Sequence, residues 1–148
     1  LVLKPAIHLG IAVATEEGLI VPVLKDAHAK TFLELARGAR ELAERARARR
    51  LTLEDVRGGT FTVNNFGAFD TLIGTPIIVQ PQVAILGFGT VVKRPVIVNE
   101  AVAIRAMAYL SLSFDHRVID GALAGQFLSH LKATLQAFPL AEVPGAAR

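Results

Sequence analysis

The chain contains no cysteine in 148 residues. That absence removes disulfides, thiolate metal sites and a cysteine nucleophile together, and it suits a reducing compartment. No apolar run approaches the length of a bilayer-spanning helix, and the first residues lack the basic region, apolar stretch and cleavage site of a secretory leader. A soluble protein without a membrane partner is the expectation. There is no internal repeat and no low-complexity segment. Charge of one sign is also scarce, the formal net charge being +3. Arginines gather between Arg37 and Arg57, but Glu34, Glu41, Glu44, Glu54 and Asp55 alternate with them, placing Glu41 and Arg45 at i,i+4 and Glu34 and Arg37 at i,i+3, as on a solvated helix face. A surface that tracks phosphates would be less neutralised, so nucleic acid is not expected as a partner.

Hydrophobic residues make up 52% of the chain and charged residues 20%, enough for one domain with a core of its own rather than a disordered segment. Ile7, Leu9, Ile11 and Val13 alternate as a strand that begins abruptly, so the chain is expected to be a fragment. The segments Ile7 to Ala14 and Leu19 to Leu24, joined by Thr15-Glu16-Glu17-Gly18, predict a hairpin, with Pro22 at an edge or a bulge because it cannot donate to a ladder. Thr31 and Glu34 form a capping box ahead of Phe32, Leu35, Ala39, Leu42 and Ala46, which predicts an amphipathic helix to about Arg50. Thr52 to Asp55 repeats the signal for a short turn ended by Gly58-Gly59.

Thr60 to Val63 reads as a strand, Asn64-Asn65-Phe66-Gly67 as a turn, and Ala68 to Gln82 as an ordered loop. Val83 to Val92 is apolar on both faces, as in a strand covered on both sides. Lys93-Arg94-Pro95 and Asn99-Glu100 bracket one more short strand. Ala124, Phe127, Leu128, Leu131, Leu135 and Phe138 then mark a second helix stopped by Pro139, followed by a tail, Leu140 to Arg148, expected to pack loosely or fray. Periodicity supports an α/β domain of mixed sheet and two main helices.

The stretch that organises this pattern lies between the last strand and the last helix. From Val102 to Phe114 every even position is apolar, while Arg105, Tyr109, Ser111 and Ser113 occupy the other face, so one strand is expected to deliver His116 to an element end. A histidine, two aspartates and an arginine within Asp115-His116-Arg117-Val118-Ile119-Asp120 form a titratable cluster on a rigid support, as catalytic bases are mounted. Read without the surrounding motif, His116 is better taken as a structural histidine that satisfies a strand end. Asp120, just before Gly121 and an apolar-periodic run, is also a good helix N-cap. Asp115 and Arg117 are expected to brace the corner as an ion pair or through neighbouring backbone. His8, His28 and His130 are given no catalytic role.

H-x-x-x-D-G, extended here to D-H-R-V-I-D-G after an apolar strand, resembles the signature of the dihydrolipoamide acyltransferases of 2-oxo acid dehydrogenase complexes. Gly18-Leu19-Ile20-Val21-Pro22-Val23, the segment Gly59 to Gly67, and Pro81-Gln82-Val83-Ala84-Ile85-Leu86-Gly87 are similar to that family in the same order. The resemblance implies an α/β fold like that of chloramphenicol acetyltransferase, a mixed sheet packed with helices. It implies that residues 1–148 are the C-terminal part of the catalytic domain, with its N-terminal portion and the lipoyl and subunit-binding domains absent. The implied reaction is acyl transfer between S-acyl-dihydrolipoamide and coenzyme A by direct thiolate attack. His116 would be general base and Asp120 its support. Asn64 stands where the family offers a serine or threonine hydroxyl to the oxyanion; it would donate instead, or be only a turn residue. Coenzyme A enters as substrate, the lipoyl group is carried on a separate domain, and no metal is implied.

The implied partners are a homotrimer able to build a larger cage, and 2-oxo acid decarboxylase and dihydrolipoamide dehydrogenase components reached through the upstream domains. The implied location is the bacterial cytoplasm, with the mitochondrial matrix as alternative. A different class of answer is a non-catalytic trimeric core scaffold of such a complex, against which His116 argues and for which Asn64 argues. A third, transfer or condensation on another carrier, is disfavoured by the additional family-like segments.

Overall fold

Alternating apolar residues assemble a five-stranded mixed sheet in the order β4-β1-β5-β6-β9, with β1 at Leu9–Ile11, β4 at Val23–Leu24, β5 at Phe61–Asn65, β6 at Ala84–Phe88 and β9 at Leu110–Phe114. The computed structural model describes residues 2–139, in two units that divide after Asp115; the expected behaviour of the tail from Leu140 lies outside the described residues. β1, β5 and β6 run parallel, while β4 and β9 are antiparallel to their neighbours. The mixed α/β architecture expected from the sequence is therefore present. Its interior is made by Val13, Val23, Leu24, Leu42, Ala46, Ala84, Ile85 and Leu86, all buried. Burying each large aliphatic side chain is worth roughly 1.5–3 kcal/mol.

The first hairpin forms but is split. Its base, β1 and β4, belongs to the main sheet, while its tip pairs β2 (Val13–Thr15) with β3 (Gly18–Ile20) in a separate ribbon. The break falls at Pro22, which has no N–H for a ladder; its carbonyl accepts from Ile11 N–H at 2.9 Å, and β4 lies at the sheet edge. α1 spans Phe32–Arg47, stopping short of the expected Arg50. Its last turn closes with Arg49 in the left-handed region (φ 57) and Arg50 N–H donating to Arg45 C=O at 2.8 Å, a C-terminal motif usually supplied with glycine. Both halves of the capping box at Thr31 and Glu34 are made. On the helix surface the ion pairs differ from those expected: Arg40 pairs with Glu44 at 3.0 Å, and Arg45 reaches Asp55 instead of Glu41.

Three strand limits also differ. The expected strand Val83 to Val92 ends at Phe88, and Lys93-Arg94-Pro95, expected to lie ahead of a short strand and bracket it, are inside β7 (Val92–Val98). Asn99 and Glu100 turn the chain, with φ of 49 and 64, into β8 (Ala101–Met107). The single strand expected from Val102 to Phe114 is two, β8 and β9, interrupted at residues 108–109; β8 pairs with β7 in its own ribbon and β9 with β6. The side-chain alternation continues through the interruption, so periodicity does not reveal the change of partner. The second unit contains α2 at Gly121–Ala137, whose N-cap is Asp120.

Candidate active site

Asn64 is a strand residue, not a turn residue: β5 continues through Asn64 and Asn65, and the left-handed position comes only at Asp70 (φ 56). Its Cα partner on β6 is Gly87, and Gly87 in turn faces Ser111 on β9. Paired residues on neighbouring strands project to the same face. Asn64, Gly87 and Ser111 therefore form one row across the sheet, and Thr62, Ile85 and Ser113 the next, which makes this face partly polar. Val63, Leu86 and Leu112 project to the other. Asn64 is half-buried, and among the described residues its carboxamide has no hydrogen-bond partner.

Glycine keeps this row narrow. A Cβ on Gly87 would lie 2.5 Å from both Phe66 Cε1 and Ser111 Oγ, and a Cβ on Gly74 would lie 3.2 Å from the same ring. The Phe66 ring thus occupies a slot between two glycines. Gly67 serves a related purpose, since a Cβ there would meet Gly89 C and Thr90 N at 2.5 Å; two backbone segments touch at that point. The Ser111 hydroxyl donates to Gly74 C=O at 2.6 Å and Thr90 N–H to Thr71 C=O at 2.9 Å, tying the loop after β5 into order. Phe66, Gly87 and Ser111 were not singled out as site residues from the sequence, although the Gly87-Phe88-Gly89 run within an apolar segment was a visible signal of close approach.

His116 and Asp120 belong to the second unit. His116 opens a turn of three residues and is exposed. Before it, Asp115 N–H donates to Val83 C=O at 2.8 Å, anchoring the end of the β9 segment. Asp120 caps α2: its Oδ1 accepts from Leu123 N–H at 2.8 Å and its carbonyl from Ala124 N–H at 3.0 Å. One carboxylate oxygen is thus committed to the cap, which bears out the capping reading and leaves Oδ2 for another contact. At the opposite end of β5 from Asn64, a cavity of about 540 Å³ is lined by residues that include His8, Thr60 and Gln82. Among the described residues no cluster of histidine, aspartate and glutamate could hold a metal ion, and no helix is long and apolar enough to cross a membrane.

The family model for the 2-oxoacid dehydrogenases acyltransferase catalytic domain matches residues 1–142. The chain belongs to that family. It is 44% identical over 91% of its length to the bovine (Bos taurus) mitochondrial dihydrolipoyllysine-residue succinyltransferase component of the 2-oxoglutarate dehydrogenase complex, and 47% identical over 87% to the Mycobacterium bovis dihydrolipoyllysine-residue acetyltransferase component of the pyruvate dehydrogenase complex. It spans 30% and 24% of the length of those relatives. Among solved structures, a probable dihydrolipoamide acetyltransferase of Listeria monocytogenes superposes with a TM-score of 0.88 at 44% identity, covering 91% of this chain and 58% of the other. The Azotobacter vinelandii dihydrolipoamide acetyltransferase, whose catalytic serine, histidine and asparagine have been investigated, superposes at 0.89 with 42% identity, covering 92% and 56%. The α/β fold is thus that of the matching part of these acyltransferase catalytic cores, as the resemblance implied.

Proposed function

We propose that residues 1–148 form the C-terminal part of an acyltransferase catalytic domain that moves an acyl group between S-acyl-dihydrolipoamide and coenzyme A. The observation that carries the reading is spacing. The serine, histidine and asparagine investigated in the Azotobacter relative lie 52 and 4 positions apart. Here Asn64, His116 and Asp120 are separated by 116 − 64 = 52 and 120 − 116 = 4 positions. The histidine is retained, while Asn64 replaces the serine and Asp120 the asparagine.

A free thiol has a pKa near ~8.5, so only a few per cent is thiolate at neutral pH and a positioned base is needed. His116 takes the thiol proton of coenzyme A as its sulfur attacks the thioester carbonyl. The tetrahedral oxyanion accepts a hydrogen bond from the Asn64 carboxamide N–H. Collapse breaks the bond to the dihydrolipoyl sulfur, and the proton held on His116 passes to that leaving thiolate. General-base help of this kind contributes roughly 10²–10⁴-fold. Asp120 holds the corner by capping α2 through Oδ1, with its second oxygen available to orient the site.

Coenzyme A and the lipoyl group are substrates in this reading, and the lipoyl group arrives on a separate domain. The protein acts as a homotrimer in which His116 of one subunit meets Asn64 of its neighbour, with larger cages and the decarboxylase and dihydrolipoamide dehydrogenase components as further partners. One matched relative is mitochondrial and another bacterial, which favours the bacterial cytoplasm or the mitochondrial matrix. The deciding assay is acyl transfer from acetyl-coenzyme A to free dihydrolipoamide. His116→Ala should lower turnover by roughly 10²-fold or more while leaving the fold intact, because the residue is exposed in a turn. Near-normal turnover in that variant would remove His116 from the mechanism. Absence of transfer by the wild-type chain would favour the scaffold reading, which Asn64 in place of a hydroxyl supports.

A further inference from the structure

We propose that the cavity of about 540 Å³ in the first unit is a binding site for a small anion, one that presents a carboxylate or phosphoryl group. This goes beyond acyl transfer and does not rest on it. The volume falls in the range of ligand sites, roughly 300–1,000 Å³. What distinguishes the cavity is its wall, which offers donors and carries no aspartate or glutamate, Lys4 being its one charged side chain.

Two of the donors are fixed in orientation by groups outside the cavity. The His8 backbone is clamped to Thr60, the residue just before β5: its N–H donates to Thr60 Oγ1 at 2.9 Å, and its carbonyl accepts from Thr60 N–H at 2.8 Å. On its ring, Nδ1 accepts from Asp26 N–H at 3.0 Å. That bond leaves no place for a proton on Nδ1, so the ring N–H is on Nε2. The Asp26 carboxylate stands 3.7 Å from the same Nδ1, beyond hydrogen-bonding range, and does not change this assignment. Gln82 is oriented by the fully buried Thr62, whose hydroxyl donates to Oε1 at 2.7 Å. The amide nitrogen is therefore the other end, and it lies over Gly59, where a Cβ would come within 2.8 Å of it. Gly59 keeps that space open. His8 Nε2–H, the Gln82 NH₂ and the Lys4 ammonium complement an acceptor-rich ligand, and the ammonium selects an anion.

The test is titration of the full chain with inorganic phosphate and, separately, with succinate at constant ionic strength, following by NMR the backbone amide resonances of Gly58, Gly59 and Thr60, which line the cavity and are present in every variant. A saturable shift with either probe, weakened roughly tenfold by Lys4→Ala and likewise by His8→Phe, is the expected result. Saturation by phosphate assigns a phosphoryl-bearing occupant and saturation by succinate a carboxylate. Lys4 is exposed, so its replacement leaves folding out of the comparison. No saturable response to either probe, or one that both substitutions leave unchanged, overturns the proposal. Acyl transfer is not the readout, so failure here leaves the proposed reaction untouched.

Discussion

At the scale of single residues, the decisive group is Asn64. A residue that only shaped a turn would be found in turn geometry, whereas Asn64 is extended in β5 and paired with Gly87, with its carboxamide unpartnered among the described residues. An unpaired, half-buried donor on a rigid strand is well placed to stabilise charge that develops in a transition state. Two substitutions separate that role from simple filling of the polar row. Asn64→Ser restores a hydroxyl at this position and should keep turnover within a modest factor or raise it. Asn64→Ala removes the donor and should lower turnover by roughly 10²-fold, chiefly in kcat. If the side chain merely fills space, both variants will lose stability alike and retain their turnover per folded molecule, which kinetics corrected for folded fraction would reveal.

At the scale of elements, the caps hold α1 and the short turn after it through carboxylates. Hydrogen bonds from the Thr31 backbone and hydroxyl hold the Glu34 carboxyl below its ordinary pKa, and those from Thr52, aided by Arg45, do the same for Asp55. A carboxylate with a lowered native pKa contributes stability that is complete above its unfolded value and is lost as pH falls through the native value. Chemical denaturation from neutral pH downward should therefore show the wild type losing stability in the acid range below the ordinary carboxylate values. The double variant Glu34→Gln, Asp55→Asn should start less stable and change less with pH there. Equal slopes for the two proteins would show that these caps do not couple to protons.

The caps also mark how far the sequence was legible. Thr31, Glu34 and Asp120 announced their helices correctly because a cap depends on residues only three positions apart, and Thr52 and Asp55 marked their short turn, although there only the Asp55 carboxylate takes part, accepting from the Thr52 N–H and hydroxyl. The strand break at residues 108–109 and the extended backbone of Asn64 were hidden because each depends on which distant strand is alongside, and alternation looks the same on either partner, whereas the interruption at Pro22 was legible from its missing N–H. For the site, the motif pointed to His116 and Asp120, whereas the Phe66 slot required knowing that Gly74 and Gly87 approach one ring.

At the scale of the whole molecule, much apolar surface is left in contact with solvent. On the ribbon of β7 and β8, Ile97 faces Val102 and Pro95 faces Ile104, and Ile97, Val102 and Ile104 are 71%, 73% and 69% exposed. Residues at alternate positions of paired strands share one face, so these four form a continuous apolar patch. α2 separately exposes Leu123, Phe127 and Leu135 along one stripe. Surfaces of this kind mark contact sites in proteins that assemble. A homotrimer of this chain would have a mass of 3 × 15.8 = 47.4 kDa, and sedimentation equilibrium across a range of protein concentrations should converge on that value or on a multiple of it. Because the patch on the ribbon is apolar, raising the salt concentration should leave the association intact or strengthen it, whereas an assembly held by the exposed ion pairs of α1 would weaken as those pairs are screened. A species that remains at 15.8 kDa at every concentration and salt would rule out the proposed trimer, and with it the proposed arrangement in which His116 of one subunit meets Asn64 of the next.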